Sequence, residues 1–91
     1  MAADDQHQSH GDIIKRLKRA NGHLSKVVTM IEDGKACVDV AQQLHAVYRA
    51  IATAKQAFVR DHIEHCLDER ALKERSLTSI KRDLAEITKY L

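Results

Sequence analysis

The chain has no proline and no tryptophan, and its 91 residues include only three glycines and three aromatic residues, Tyr48, Phe58 and Tyr90. Without those turn-formers it cannot build the many short strands and tight turns of a β-sandwich or barrel. Its β-branched residues stand scattered among Ala, Leu, Lys, Glu and Gln, which favour helices. No apolar run approaches the roughly 20 residues needed to span a bilayer. The polar, acidic start from Met1 to His10 does not read as a signal peptide. The expectation is a cytoplasmic protein without a membrane partner, whose two cysteines are thiols rather than a disulfide. Oxyanion-hole glycines and a Gly-rich phosphate loop are also missing, so no enzyme is expected. Hydrophobic residues nevertheless make up 44% of the chain, which excludes a disordered polar segment.

The formal net charge of +2 conceals an uneven distribution. From Ile13 to Ile31 there are five basic residues, Lys15, Arg16, Lys18, Arg19 and Lys26, and no acidic one. From Glu32 onward ten acidic and ten basic residues cancel. The early run fits either an ordinary solvated face or a surface that meets nucleic-acid phosphates.

Residues 1–11 have no apolar periodicity and read as a flexible tail. Asp12 is a candidate N-cap. Behind it Ile13, Leu17, Ala20, Leu24, Val28 and Ile31 mark one face of a helix over residues 12–33, with Gly34 as its left-handed stop. A second helix runs from Cys37 to Cys66. Val40, Leu44, Val47, Ile51, Ala54 and Phe58 form one stripe on it, and Ala41, Tyr48, Lys55, His62 and Cys66 an adjoining one. At ~1.5 Å per residue it is about 43 Å long. Residues 68–75 are charged and helix-permissive, either a loop or a helical extension. Ser76 can cap a last helix carrying Leu77, Ile80, Leu84, Ile87 and Leu91. The result is an all-α, three-helix protomer in which residues 12–91 form a single domain. An apolar stripe of that length needs another chain to cover it, which predicts a dimer of antiparallel helical hairpins.

His62 and Cys66, four residues apart, lie on one helical face and can converge on one soft or borderline metal ion. A third donor is needed, and Cys37 is the only other thiol. Within one continuous helix Cys37 lies roughly 37 Å from His62. In an antiparallel pair of the long helices, Cys37 of one subunit faces His62 and Cys66 of the other, with the two-fold axis near Ile51. The same residues also fit a plain core, since buried free cysteines often act as small apolar side chains. His65 points about 100° away from Cys66, and His23 and His45 read as structural. His7 and His10, in the tail, either complete a site for Ni(II) or Co(II) or remain solvated.

The stretch RLKRANGHLSKVVTMIEDGKACVDVAQQLHAV, followed by DHIEHCLDE, resembles the CsoR/RcnR-type family. These are the copper-sensitive operon repressors and their nickel/cobalt-, formaldehyde- and persulfide-sensing relatives. The resemblance covers about residues 12–91. It implies an all-α three-helix protomer, a dimer-of-dimers tetramer, and a repressor that binds double-stranded operator DNA without a conventional helix-turn-helix. By the same resemblance Cys37 matches the family's helix-2 cysteine, and His62 and Cys66 match the histidine and second cysteine of the Cu(I)-sensing branch. Two thiolates and one imidazole favour Cu(I), because soft sulfur ligands select it. Ala36 departs from the tyrosine that many copper sensors carry there. Arg16 matches a basic residue that the family uses on DNA, and Lys15, Lys18, Arg19, Lys26 and Arg49 extend the candidate interface.

The expected function is a transcriptional repressor that holds operator DNA in its metal-free form and lets go on binding Cu(I) between subunits. The alternatives are a Ni(II)/Co(II) sensor using an N-terminal histidine, or a reactive-thiol sensor of the same family.

Overall fold

The computed structural model describes the backbone of residues 2–91 and the side chains from His10 onward. Four α-helices follow one another: α1 (Ala2–Glu32), α2 (Cys37–Cys66), α3 (Glu69–Glu74) and α4 (Leu77–Ile87), with a closing 3-10 turn over Thr88–Tyr90. No strand occurs among the described residues, so the chain is all-α, as composition predicts.

Each junction has a local cause. Gly34 takes φ +70°, which a side chain resists. Around it Lys35 N–H donates to the Met30 carbonyl at 2.9 Å and Gly34 N–H to the Ile31 carbonyl at 3.1 Å. This paired Schellman closure satisfies carbonyls that the end of α1 would otherwise strand. Asp68 caps α3 by accepting from Ala71 N–H at 2.8 Å, and Ser76 caps α4 by accepting from Ser79 N–H at 3.1 Å. Residues 68–75 are thus mainly a short helix of their own. The start of α1 departs from expectation: the helix begins at Ala2, so Asp12 lies inside it and caps nothing.

α1 and α2 pack along one another as a hairpin. His23 meets Gln43 while His10 meets Phe58, so the first number falls by 13 as the second rises by 15, and the helices run antiparallel. The hairpin core is narrow. Ile13, Ala20 and Val27 are buried at seven-residue intervals on α1, and Val47 and Ala54 at the same interval on α2. Val59 and Cys66 are buried on a different side of α2, about 140° around the axis from Ala54 at 100° per residue, where α2 packs against α4 and its buried Ile80.

The apolar stripes read from sequence are therefore divided between two surfaces. Ile13, Ala20, Val47 and Ala54 do pack inside the chain. Leu17, Leu24, Val28 and Ile31 of α1 remain exposed, as do Leu44, Ile51 and Phe58 of α2. The radius of gyration is 17.9 Å and the extents are 57 × 26 × 14 Å. A globular chain of this length would have a radius near 12 Å. The protomer is a slab with one apolar face turned outward, because periodicity sets which side of a helix is apolar but not which chain covers it.

Candidate metal centre and basic groove

The last turn of α2 carries His62 and Cys66 one above the other, so that Cys66 Sγ lies 3.4 Å from His62 Nε2. Bonds of about 2.0 Å to nitrogen and 2.3 Å to sulfur in tetrahedral geometry separate two such donors by roughly 3.5 Å. The pair already stands at a spacing that fits a metal ion. Cys66 is only 1% exposed, held between α2 and α4, while Cys37 is exposed at the opposite end of α2. Within one chain the structure brings His62 and Cys66 together and leaves Cys37 apart from them, as the length of α2 requires.

α4 adds a residue that the sequence reading missed. The Cys66 thiol donates to Asp83 Oδ2 at 2.8 Å, and His62 Nε2 lies 2.9 Å from the same oxygen. Arg75 completes the group, with its guanidinium 3.7 Å from Asp83 Oδ2 and 3.9 Å from Cys66 Sγ. The donor atoms of His62, Cys66 and Asp83 all lie within 4.8 Å of one another, the one such group among the described residues. A signal for Asp83 was present: it stands three residues after Ile80 and four before Ile87, a carboxylate on an otherwise apolar helical stripe.

The electrostatics follow from this packing. Burial pushes the Cys66 thiol above its ordinary range, and the hydrogen bond to Asp83 and its negative charge push the same way, against a smaller opposing effect of Arg75. The hydrogen bond from Cys66, then that from His62, holds the Asp83 carboxyl below its ordinary range. The metal-free centre therefore keeps a protonated thiol resting on an ionised carboxylate.

The remaining histidines are placed as follows. His10 stacks on Phe58 with ring centroids 5.4 Å apart, one helical turn before His62. The side chain of His7 lies outside the described residues. His65 pairs with Asp68 at 3.3 Å, His23 hydrogen-bonds Gln43 at 2.7 Å, and His45 stacks on Tyr48.

Three of the basic residues gather at one groove between α1 and α2. Arg16 and Arg19 of α1 and Arg49 of α2 line one groove of about 330 Å³, with His23 and Thr53. Arg16 also borders the next concavity, which reaches Arg60. Lys15, Lys18 and Lys26 are exposed on α1 but do not line the groove.

Comparison with known proteins gives one consistent answer. The family described as metal-sensitive transcriptional repressor matches residues 9–91. The chain is 34% identical over 77 residues to the copper-sensing transcriptional repressor CsoR of Mycobacterium ulcerans, covering 85% of this chain and 65% of that protein. It is 34% identical over 73 residues to the copper-sensing transcriptional repressor RicR of Mycobacterium tuberculosis, covering 80% of this chain and 75% of that one. CsoR of Bacillus subtilis is 34% identical over 55 residues, 60% of this chain and 54% of that protein. The chain thus spans a little under two thirds of the mycobacterial CsoR relatives and about half of the Bacillus subtilis one. No solved structure matches it.

Proposed function

Because the chain belongs to the metal-sensitive transcriptional repressor family, we propose that it holds operator DNA in its metal-free form and lets go when Cu(I) binds between two of its subunits. The observation that carries this reading is the 3.4 Å spacing of Cys66 Sγ and His62 Nε2 at one end of α2, with Cys37 at the other end. Cys37, Leu44, Ile51 and Phe58 follow one another at seven-residue intervals, and all four are exposed on the single chain. An antiparallel pair of α2 helices meeting near Ile51 covers that stripe. It also brings each Cys37 to the partner's thiol and imidazole, completing two S/N/S sites of the kind Cu(I) prefers. The copper-sensing function named for the relatives agrees with this ligand set.

The groove of Arg16, Arg19 and Arg49, flanked by Lys15, Lys18 and Lys26, is the proposed DNA surface. Pairing through the apolar face leaves every groove free, and a tetramer repeats it four times. Contact is mainly to phosphates, so affinity falls steeply with salt. Metal binding selects a packing of the bundle that fits DNA less well, and by linkage DNA weakens metal binding by the same factor. The protein acts in the cytoplasm, and among the described residues no helix is long and apolar enough to cross a membrane.

The direct test is fluorescence anisotropy of a labelled duplex from the region upstream of the gene, titrated with the protein and then with Cu(I), Ni(II), Co(II) and Zn(II) in turn. Binding at low salt followed by release with Cu(I) is expected. Failure to bind the duplex at low salt would sink the repressor reading. A sensor acting through a reactive thiol instead predicts release by polysulfide with a Cys37–Cys66 crosslink. The raised pKa and burial of Cys66 work against that chemistry, since the thiolate is the nucleophile.

A further inference from the structure

His23 reads from sequence as a structural residue, and its 2.7 Å hydrogen bond to Gln43 does tie α1 to α2. That bond uses only one ring nitrogen. Gln43 Oε1 is an acceptor, so Nε2 carries the ring proton and Nδ1 holds the lone pair. Nδ1 makes no hydrogen bond among the described residues. The half-buried ring also lines the groove of Arg16, Arg19 and Arg49. A basic nitrogen without a partner therefore stands in the wall of the surface proposed for DNA.

The charges that face this ring come from both helices. Arg16 and Arg19 stand on its own helix and Arg49 on α2, and no carboxylate lines the groove. Lys26 is exposed one turn further along α1. Asp39, on α2 one turn before Gln43, lies outside the groove lining. Bound DNA would bring in the negative charge that the groove lacks. Imidazole is the side chain whose ordinary titration falls between about pH 5 and 8, whereas a guanidinium stays charged throughout. Adding a proton to the ring breaks no contact, because the bond from Nε2 to Gln43 persists and the proton goes to the free nitrogen.

We propose that His23 is a further DNA-binding residue, a fourth cation that the groove gains by taking up a proton against a phosphate. A proton from solvent adds to Nδ1, and the resulting N–H donates to a phosphate oxygen. The complex then holds more protons than its separated parts, so affinity for DNA rises as pH falls. By linkage, DNA strengthens proton binding by the same factor. The inference rests on the proposed DNA surface and adds to it a dependence on pH that three arginines cannot give.

The experiment measures the affinity of the metal-free full chain for the labelled upstream duplex by anisotropy, over a range of salt, at about pH 6 and about pH 8. It is run on the wild type, His23→Gln and His23→Lys, each checked for its helical circular dichroism. Glutamine can still hydrogen-bond Gln43 but never charges, and lysine is charged at both pH values. Wild-type affinity at low salt should be about fivefold or more higher at the lower pH. The slope of log affinity against log salt should steepen there by about 0.9 for each His23 engaged. His23→Gln should keep the shallower slope at both pH values, its affinity changing less than about twofold, and His23→Lys should keep the steeper slope at both. A His23 that only ties the helices together would alter affinity and leave the pH response as it was. A wild-type pH response in either folded variant therefore overturns the inference, as does a wild type without one. The two readings fail separately. Duplex binding with the same pH response in all three proteins removes His23 and leaves the repressor standing. No binding by the wild type at the lower pH and low salt removes both.

Discussion

Cys66 and Asp83, seventeen positions apart in the chain, share a 2.8 Å hydrogen bond that fastens the last turn of α2 to α4. His62 and Arg75 converge on the same carboxylate oxygen. Little else buried on α4 holds it in place besides Ile80. The metal-sensing pair and the attachment of the C-terminal helix are therefore the same few atoms.

In the metal-free protein Asp83→Asn should cost about 1 kcal/mol at neutral pH, the lower range for a hydrogen bond to a charged group, since the carboxylate is partly solvated. The folded pKa of Asp83 is depressed, so its stabilisation is present above the unfolded value and lost as pH falls through the folded one. Urea midpoints of the two proteins, compared at equal concentration, should draw together as pH falls below the ordinary aspartate range. A gap that stays constant with pH would show that the ionised carboxylate is not what ties the helices.

Cys37→Ala should bind the duplex as the wild type does and no longer be released by Cu(I), read by anisotropy. If that variant still releases DNA fully with Cu(I), the thiol at the start of α2 is not part of the effector site.

Arg16→Ala and Arg49→Ala should each weaken DNA binding across different sequences and lower the slope of log affinity against log salt. The slope falls by about 0.9 for each phosphate that the protein no longer neutralises. Unchanged slopes in both would place the DNA elsewhere on the surface.

Ile51→Glu puts like charges face to face at the proposed two-fold axis. Sedimentation should show smaller species than the wild type, with the helical signal of the single chain largely kept. A wild-type sedimentation profile from this variant would remove the antiparallel pairing of α2.

The sequence made α2 legible to the residue, because Gly34 punctuates the chain before it and nothing interrupts it between Cys37 and Cys66. Ser76 likewise announced α4. The start of α1 was illegible for a local reason: Ala, Asp, Gln and His at its beginning neither demand a helix nor break one. The division of the apolar stripes was illegible for a global one. Leu17 and Ala20 look alike as members of a helical face, and only tertiary packing leaves the first 43% exposed and the second 4%. His62 and Cys66 declared themselves by their spacing. Asp83 showed only as a carboxylate on the apolar stripe of α4, because its meaning comes from partners 21 and 17 positions away that only the folding of α4 onto α2 brings near.

The unbroken course of α2 also governs how this protein can change over generations. Cys37 and Cys66 sit on one rigid rod, and a single residue inserted between them rotates one end by about 100° against the other. Substitutions along the exposed polar side leave that phase intact. A one-residue insertion or deletion, harmless in a loop, would put sulfur and imidazole out of step at both ends of a pair. α2 should therefore vary in composition among descendants of this chain and stay constant in length.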